Sequence, residues 1–119
     1  GVMDEEAIMK ALEDVVKNSN EYIPTPESII EYISKYFGIE PDVLQGQSRS
    51  RDITNARQIA MYLIRRMTTL SLKDIGKALG NRDHSTVMHS LEKVEAQMRS
   101  DPAFAETVKE ITTNINAKQ

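Results

Sequence analysis

Cysteine is absent from the chain, which removes disulfides, thiolate metal sites and cysteine nucleophiles and agrees with a reducing cytosol. Long apolar runs are missing too, so no segment reads as a helix long enough to cross a bilayer. The opening residues Gly1-Val2-Met3-Asp4-Glu5-Glu6 are acidic, where a secretory signal peptide would be basic. Cytoplasm is the compartment these absences favour. No Gly-x-x-x-x-Gly-Lys-Ser/Thr loop occurs, so nothing in the chain can cradle nucleotide phosphates in the P-loop manner. Sustained alternation of apolar and polar residues is also lacking, which argues against strands and for an all-α fold.

What is there fits one compact domain with an additional arm. The chain has 119 residues, 39% of them hydrophobic and 28% charged, ordinary proportions for a folded domain of this size. Its net charge of −3 hides a segregation. Residues 1–44 carry three Lys/Arg against ten Asp/Glu, whereas residues 45–93 carry nine against four. A basic middle between acidic flanks suits a protein that turns one face toward phosphates, and equally a solvated basic face.

Helical periodicity and end signals divide the chain. A first helix is expected over residues 5–17, capped by Asp4, with Asn18-Ser19-Asn20 breaking it and a connector following. This arm has few partners for a core, and we expect it to project or pack weakly. Thr25-Pro26 restarts a helix, because the hydroxyl caps free N–H groups and proline loses no needed bond at the first position. Ile29, Ile30, Ile33 and Phe37 recur at helical spacing, and Gly38 ends the run. Residues 42–54, containing Gln45-Gly46-Gln47-Ser48-Arg49-Ser50-Arg51, read as a polar basic loop. A helix over residues 55–68 would turn Ile59, Leu63 and Met67 inward and Arg57, Arg65 and Arg66 outward. Ser71-Leu72-Lys73-Asp74 has the form of a capping box and starts a short helix to Leu79. Gly80, Asn81 and Arg82 make a turn, Asp83 caps a helix over residues 84–99, and Asp101-Pro102 starts a last one to about Ile115. The methionines fall mostly at core spacing. The class is therefore an all-α helical bundle with an N-terminal connector helix, divided at residues 1–24 and 25–119.

A short helix, a glycine-containing turn and a longer helix from Ser71 onward form a helix-turn-helix, whose second helix enters the major groove of DNA with its leading residues nearest the base edges. Val87, Leu91, Val94 and Met98 follow core spacing, while Ser85, Thr86, His89 and Lys93 lie off that stripe. Asp83, His84, Ser85 and Thr86 offer donors, acceptors and a methyl in a small volume, which is the chemistry of base reading. Arg82, just before the helix, is placed to reach a phosphate. Asp83 is also explained as a cap alone, and His84 as an ordinary surface histidine.

The string Ile75-Gly76-Lys77-Ala78-Leu79-Gly80-Asn81-Arg82-Asp83-His84-Ser85-Thr86-Val87 resembles the signature of the bacterial chromosomal replication initiator family DnaA, in its C-terminal DNA-binding domain. Ser48-Arg49-Ser50-Arg51 and Ala56-Arg57-Gln58-Ile59-Ala60-Met61 support it. The resemblance covers about residues 25–115, and residues 3–20 look like the end of a preceding ATPase module with its connector. It implies sequence-specific binding of double-stranded DNA at replication-origin boxes, one domain per box, with self-assembly belonging to the full-length protein. By the same resemblance Asp83, His84, Ser85 and Thr86 would touch bases in the major groove, Lys73 would contact a thymine, and Arg49 would enter the minor groove, whose narrow channel favours a guanidinium. Arg57, Gln58, Arg65, Ser71 with the Leu72 backbone, Met88 and His89 stand at phosphate-holding positions of the family. ATP is implied for the full-length family only, on a module not present, and no cofactor is expected in this chain. Ser85 departs from the common threonine, and Asn55-Ala56 from a frequent Arg-Pro.

Other chemistries fare poorly. His84 and His89 diverge on a helix and have no cysteine to complete a metal site. Asp83-His84-Ser85 contains the residue types of a hydrolytic triad, but adjacent residues cannot adopt triad geometry. No enzymatic activity is expected. Two rivals stay open: a helix-turn-helix transcriptional regulator reading a palindrome as a dimer, and a helical protein-interaction module that docks a partner through its acidic first helix.

Overall fold

The computed structural model describes residues 24–117, and the helix expected over residues 5–17 lies outside them. The described residues form six helices: α1 (Pro26–Phe37), α2 (Pro41–Leu44), α3 (Arg51–Met67), α4 (Leu72–Ala78), α5 (His84–Ser100) and α6 (Pro102–Ala117). No strand occurs among them. The all-α expectation therefore holds. None of these helices is long and apolar enough to cross a membrane.

Local chemistry accounts for most of the boundaries. At the start of α1 the Thr25 Oγ1 accepts from the Ser28 amide at 3.1 Å while Ser28 Oγ accepts from the Thr25 amide at 2.9 Å. This reciprocal cap is worth about 1 kcal/mol. At the other end Gly38 adopts φ +68, which lets the Ile39 amide reach back to the Ser34 carbonyl at 2.9 Å and carries Ile39 onto the core. α6 starts in a similar way, with Asp101 Oδ1 accepting from the Ala103 and Phe104 amides at 3.1 and 3.2 Å.

The segment read as one long loop is shorter than expected. Pro41 occupies the first turn of α2, whose Leu44 is fully buried, and α3 begins at Arg51 rather than at residue 55. Both starts were hidden by composition. Arg51-Asp52-Ile53-Thr54 has too little apolar character to show a period, yet Asp52 suits the positive end of a helix, and the Thr54 amide closes the first turn on the Ser50 carbonyl at 2.8 Å.

α3 lies at the centre and packs against α1, α2, α4 and α5. Ala56, Ile59, Ala60, Met61, Leu63 and Ile64 are buried along it, a face wider than a single stripe because neighbours cover it on several sides. Ile29 and Ile33 from α1, Leu44, Ile75, Leu79 and Val87 complete one cluster, which Val108, Ile111 and Ile115 extend through α6. Each large aliphatic side chain removed from water contributes roughly 1.5 to 3 kcal/mol. The methionines divide: Met61 is in the core, Met67 and Met98 pack against it, and Met88 is 42% exposed.

Candidate nucleic-acid interface

The helix-turn-helix is α4, the turn from Leu79 to Asp83, and α5, with α4 and α5 packed on each other. Ser71 Oγ accepts from the Asp74 amide at 3.1 Å, so the serine half of the capping box read from the sequence is present. The turn needs special residues. Gly80 and Asn81 both adopt left-handed backbone, φ +84 and +62, which glycine and asparagine tolerate better than other residues. A Cβ on Gly76 would collide with the Arg82 carbonyl, and one on Gly80 with the Gln45 carbonyl. The Arg82 amide donates to the Gly76 carbonyl at 2.9 Å and closes the turn.

Asp83 then starts α5. Its Oδ1 accepts from the Thr86 amide at 2.8 Å, and hydrogen bonds from Thr86, the backbone one foremost, hold the carboxyl below its ordinary value. Along α5, Val87, Ser90 and Val94 are buried, Leu91 and Met98 pack against the core, and Ser90 Oγ donates to the Thr86 carbonyl at 2.9 Å. Burying that seam leaves the leading end open. Asp83, His84, Ser85 and Thr86 are all exposed, as are Met88, His89 and Lys93 farther along.

The remaining candidates lie on α3, on the start of α4 and on the loop before α3. Ser71 and Lys73 are exposed at the start of α4, with Leu72 half-buried between them. Arg65 is exposed near the end of α3, and its Nη1 donates to the Leu70 carbonyl at 3.1 Å, which ties that end to the start of α4. Arg49 is exposed on the loop between α2 and α3, and Gln58 is half-buried on α3.

Two arginines depart from the sequence expectation. Arg57 does not point outward: it is 5% exposed, its Nε donates to the Leu44 carbonyl at 2.7 Å and its Nη1 to the Ser48 carbonyl at 3.1 Å. Its remaining Nη2 is enclosed without a partner. Arg82 is half-buried, and its guanidinium donates to the carbonyls of Leu79, Gln45 and Gly46. Desolvation pulls both below the ordinary arginine value, and the nearby Arg82 adds to the effect on Arg57. Both guanidiniums serve the protein's own backbone, because the irregular loop leaves carbonyls that need donors. A signal for Arg57 existed: it shares a helical stripe with Ala60, Met61 and Ile64, all buried. No comparable pattern marks Arg82 or Gln45, whose Nε2 donates to the Ala78 carbonyl at 2.9 Å across 33 residues.

Comparison with known proteins converges on one group. Residues 26–94 match the sequence model of a family described as the bacterial dnaA protein helix-turn-helix. Over 107 residues the chain is 45% identical to a chromosomal replication initiator protein DnaA from Lachnoclostridium phytofermentans (strain ATCC 700394 / DSM 18823 / ISDg), covering 90% of this chain and 24% of that relative. A crystal structure of a DNA replication initiation factor resembles it in fold with a TM-score of 0.70 at 24% identity, over 98% of this chain and 37% of the other. A replication initiator DnaA solved with AMPPCP and single-stranded DNA aligns with a TM-score of 0.58 at 26% identity, over 89% of this chain and 32% of that one.

Proposed function

Because the chain belongs to the bacterial DnaA helix-turn-helix family, we propose that it binds double-stranded DNA sequence-specifically at replication-origin boxes, as the recognition module of an initiator. The observation that carries this reading is the leading end of α5, where Asp83, His84, Ser85 and Thr86 stand exposed above a buried seam of Val87, Ser90 and Val94. That end offers a carboxylate, an imidazole and two hydroxyls to the wide groove. Lys73 reads a base from the start of α4, and Arg49 reaches the minor groove. Arg65, Ser71 with the Leu72 backbone, Gln58, Met88 and His89 hold phosphates and set the register.

In this reading residues 25–119 are the binding unit and residues 1–24 a connector. One chain occupies one asymmetric box in the cytoplasm. The module contributes recognition without catalysis, while nucleotide chemistry and self-assembly reside in the greater part of the longer relatives.

A gel-shift titration tests this with an origin-box duplex, a scrambled duplex and the single strands of the box, each at two salt concentrations. Preference for the box duplex at one chain per duplex supports the proposal, and phosphate contacts show as affinity falling with salt, by about 0.9 in slope per phosphate neutralised. Equal affinity for box and scrambled duplex, or preference for a single strand, rejects it. A requirement for a two-fold palindrome would instead indicate a dimeric regulator.

A further inference from the structure

The loop that carries Arg49 is fastened by two cations, one from α3 and one from the turn before α5. Arg82 immediately precedes the Asp83 cap of α5, and its guanidinium binds the carbonyls of Gln45 and Gly46 as well as that of Leu79 in its own turn. Arg57, from inside α3, takes the carbonyls of Leu44 and Ser48. Four of the five carbonyls from Leu44 to Ser48 are thus held by two side chains, and Arg49 is the next residue. The Gln45 side chain adds a link to the last residue of α4, and Gly80 lets the turn approach the Gln45 carbonyl closer than any side chain would allow. Two like charges placed close together and partly desolvated are costly, and here their partners are carbonyls that fix the path of the loop.

We propose that Arg82 and Arg57 form an internal clamp that sets where Arg49 stands relative to Asp83–Thr86, so that minor-groove and major-groove contacts fall in register on one duplex. Arg82 is then a positioning residue and not a phosphate ligand. The inference rests on the reading of Arg49 and α5 given above. A planar guanidinium can donate to three carbonyls at once from one fixed geometry, whereas a lysine ammonium is a flexible point charge. Charge at position 82 is therefore insufficient; the fork is what matters.

The test is a double-mutant cycle between Arg49→Ala and Arg82→Lys, read as affinity for the box duplex, with dimethyl sulfate footprinting of both grooves. In the wild-type background Arg49→Ala is expected to weaken binding about tenfold; with Arg82→Lys the further loss falls below about threefold, because neighbours in one network do not add. Arg82→Lys should also lose protection of adenine N3 in the minor groove while keeping protection of guanine N7 in the major groove. A general structural defect would remove both protections, and a phosphate ligand would preserve both. Either result, or equal losses from Arg49→Ala in the two backgrounds, overturns the clamp. Should Arg82→Lys fail to melt cooperatively, Arg57→Lys, which likewise keeps the charge and removes the fork, carries the same two measurements with the same criteria. A wild-type chain that protects neither groove removes the functional reading and the clamp together, whereas wild-type protection of both, retained by the variants, removes the clamp alone.

Discussion

Asp83 to Thr86 continue the turn that Gln45 and Gly46 pack against, yet the helix end and the loop from Gln45 to Ser50 are held in place by different means. The first group rests on neighbours in sequence: the Asp83 carboxylate bonds the Thr86 amide, Ser90 bonds the Thr86 carbonyl, and Val87 anchors the first turn in the core. The second is irregular backbone whose carbonyls are satisfied by side chains 9 to 37 residues away. A helix end can present its residues once it is capped and buried on one side. An irregular loop keeps one shape only while distant groups hold it, so it is the region more exposed to damage from inside the protein.

The comparison breaks most readily at Arg57. Arg57→Ala leaves the Leu44 and Ser48 carbonyls without their donors, and we expect a loss of about 2 kcal/mol in urea unfolding, softened because one buried cation beside Arg82 is also removed. If stability is unchanged and only the salt dependence of DNA binding flattens, Arg57 is a phosphate ligand and the loop is not braced in this way. Thr86→Ala probes the other region. The backbone amide that Asp83 caps is retained, so thermal stability should change little, while discrimination between box and scrambled duplex falls by about 1 to 3 kcal/mol. Equal losses on both duplexes would place Thr86 outside base reading.

The smallest expected effect concerns pH. The bonds from Thr86 depress the Asp83 carboxyl below its ordinary value, so the cap's charge-dependent contribution is complete above the ordinary carboxylate range and is lost as pH falls through the depressed value. Asparagine caps helices as well as aspartate does. Asp83→Asn should therefore keep the helix at neutral pH and remove one proton's worth of acid sensitivity from melts followed toward low pH. Unaltered acid sensitivity would mean that the carboxylate does not support the helix end in solution.

How legible each region was follows from the same distinction. Thr25-Pro26, Ser71, Gly80, Asp83 and Asp101-Pro102 announced five helix boundaries, since caps and turn residues act on the backbone beside them. Pro41 carried the same kind of signal for α2, in a stretch whose polar composition masked it. The start of α3 at Arg51 is not legible, because Arg51-Asp52-Ile53-Thr54 shows no apolar period. The inward turn of Arg57 is signalled only by its place on the Ala60, Met61 and Ile64 stripe, a signal its charge opposes.

From its residues alone this protein is determined to be helical, to place a turn between two helices at Gly80 and Asn81, and to leave polar side chains at the head of the second, because capping, periodicity and left-handed backbone are short-range effects. Which basic residues face outward was decided only by the tertiary structure. Arg49 and Arg82 carry no helical pattern that tells them apart; the open carbonyls of a loop folded against the helix-turn-helix draw the Arg82 guanidinium inward and leave Arg49 exposed, and that competition exists only once distant segments meet.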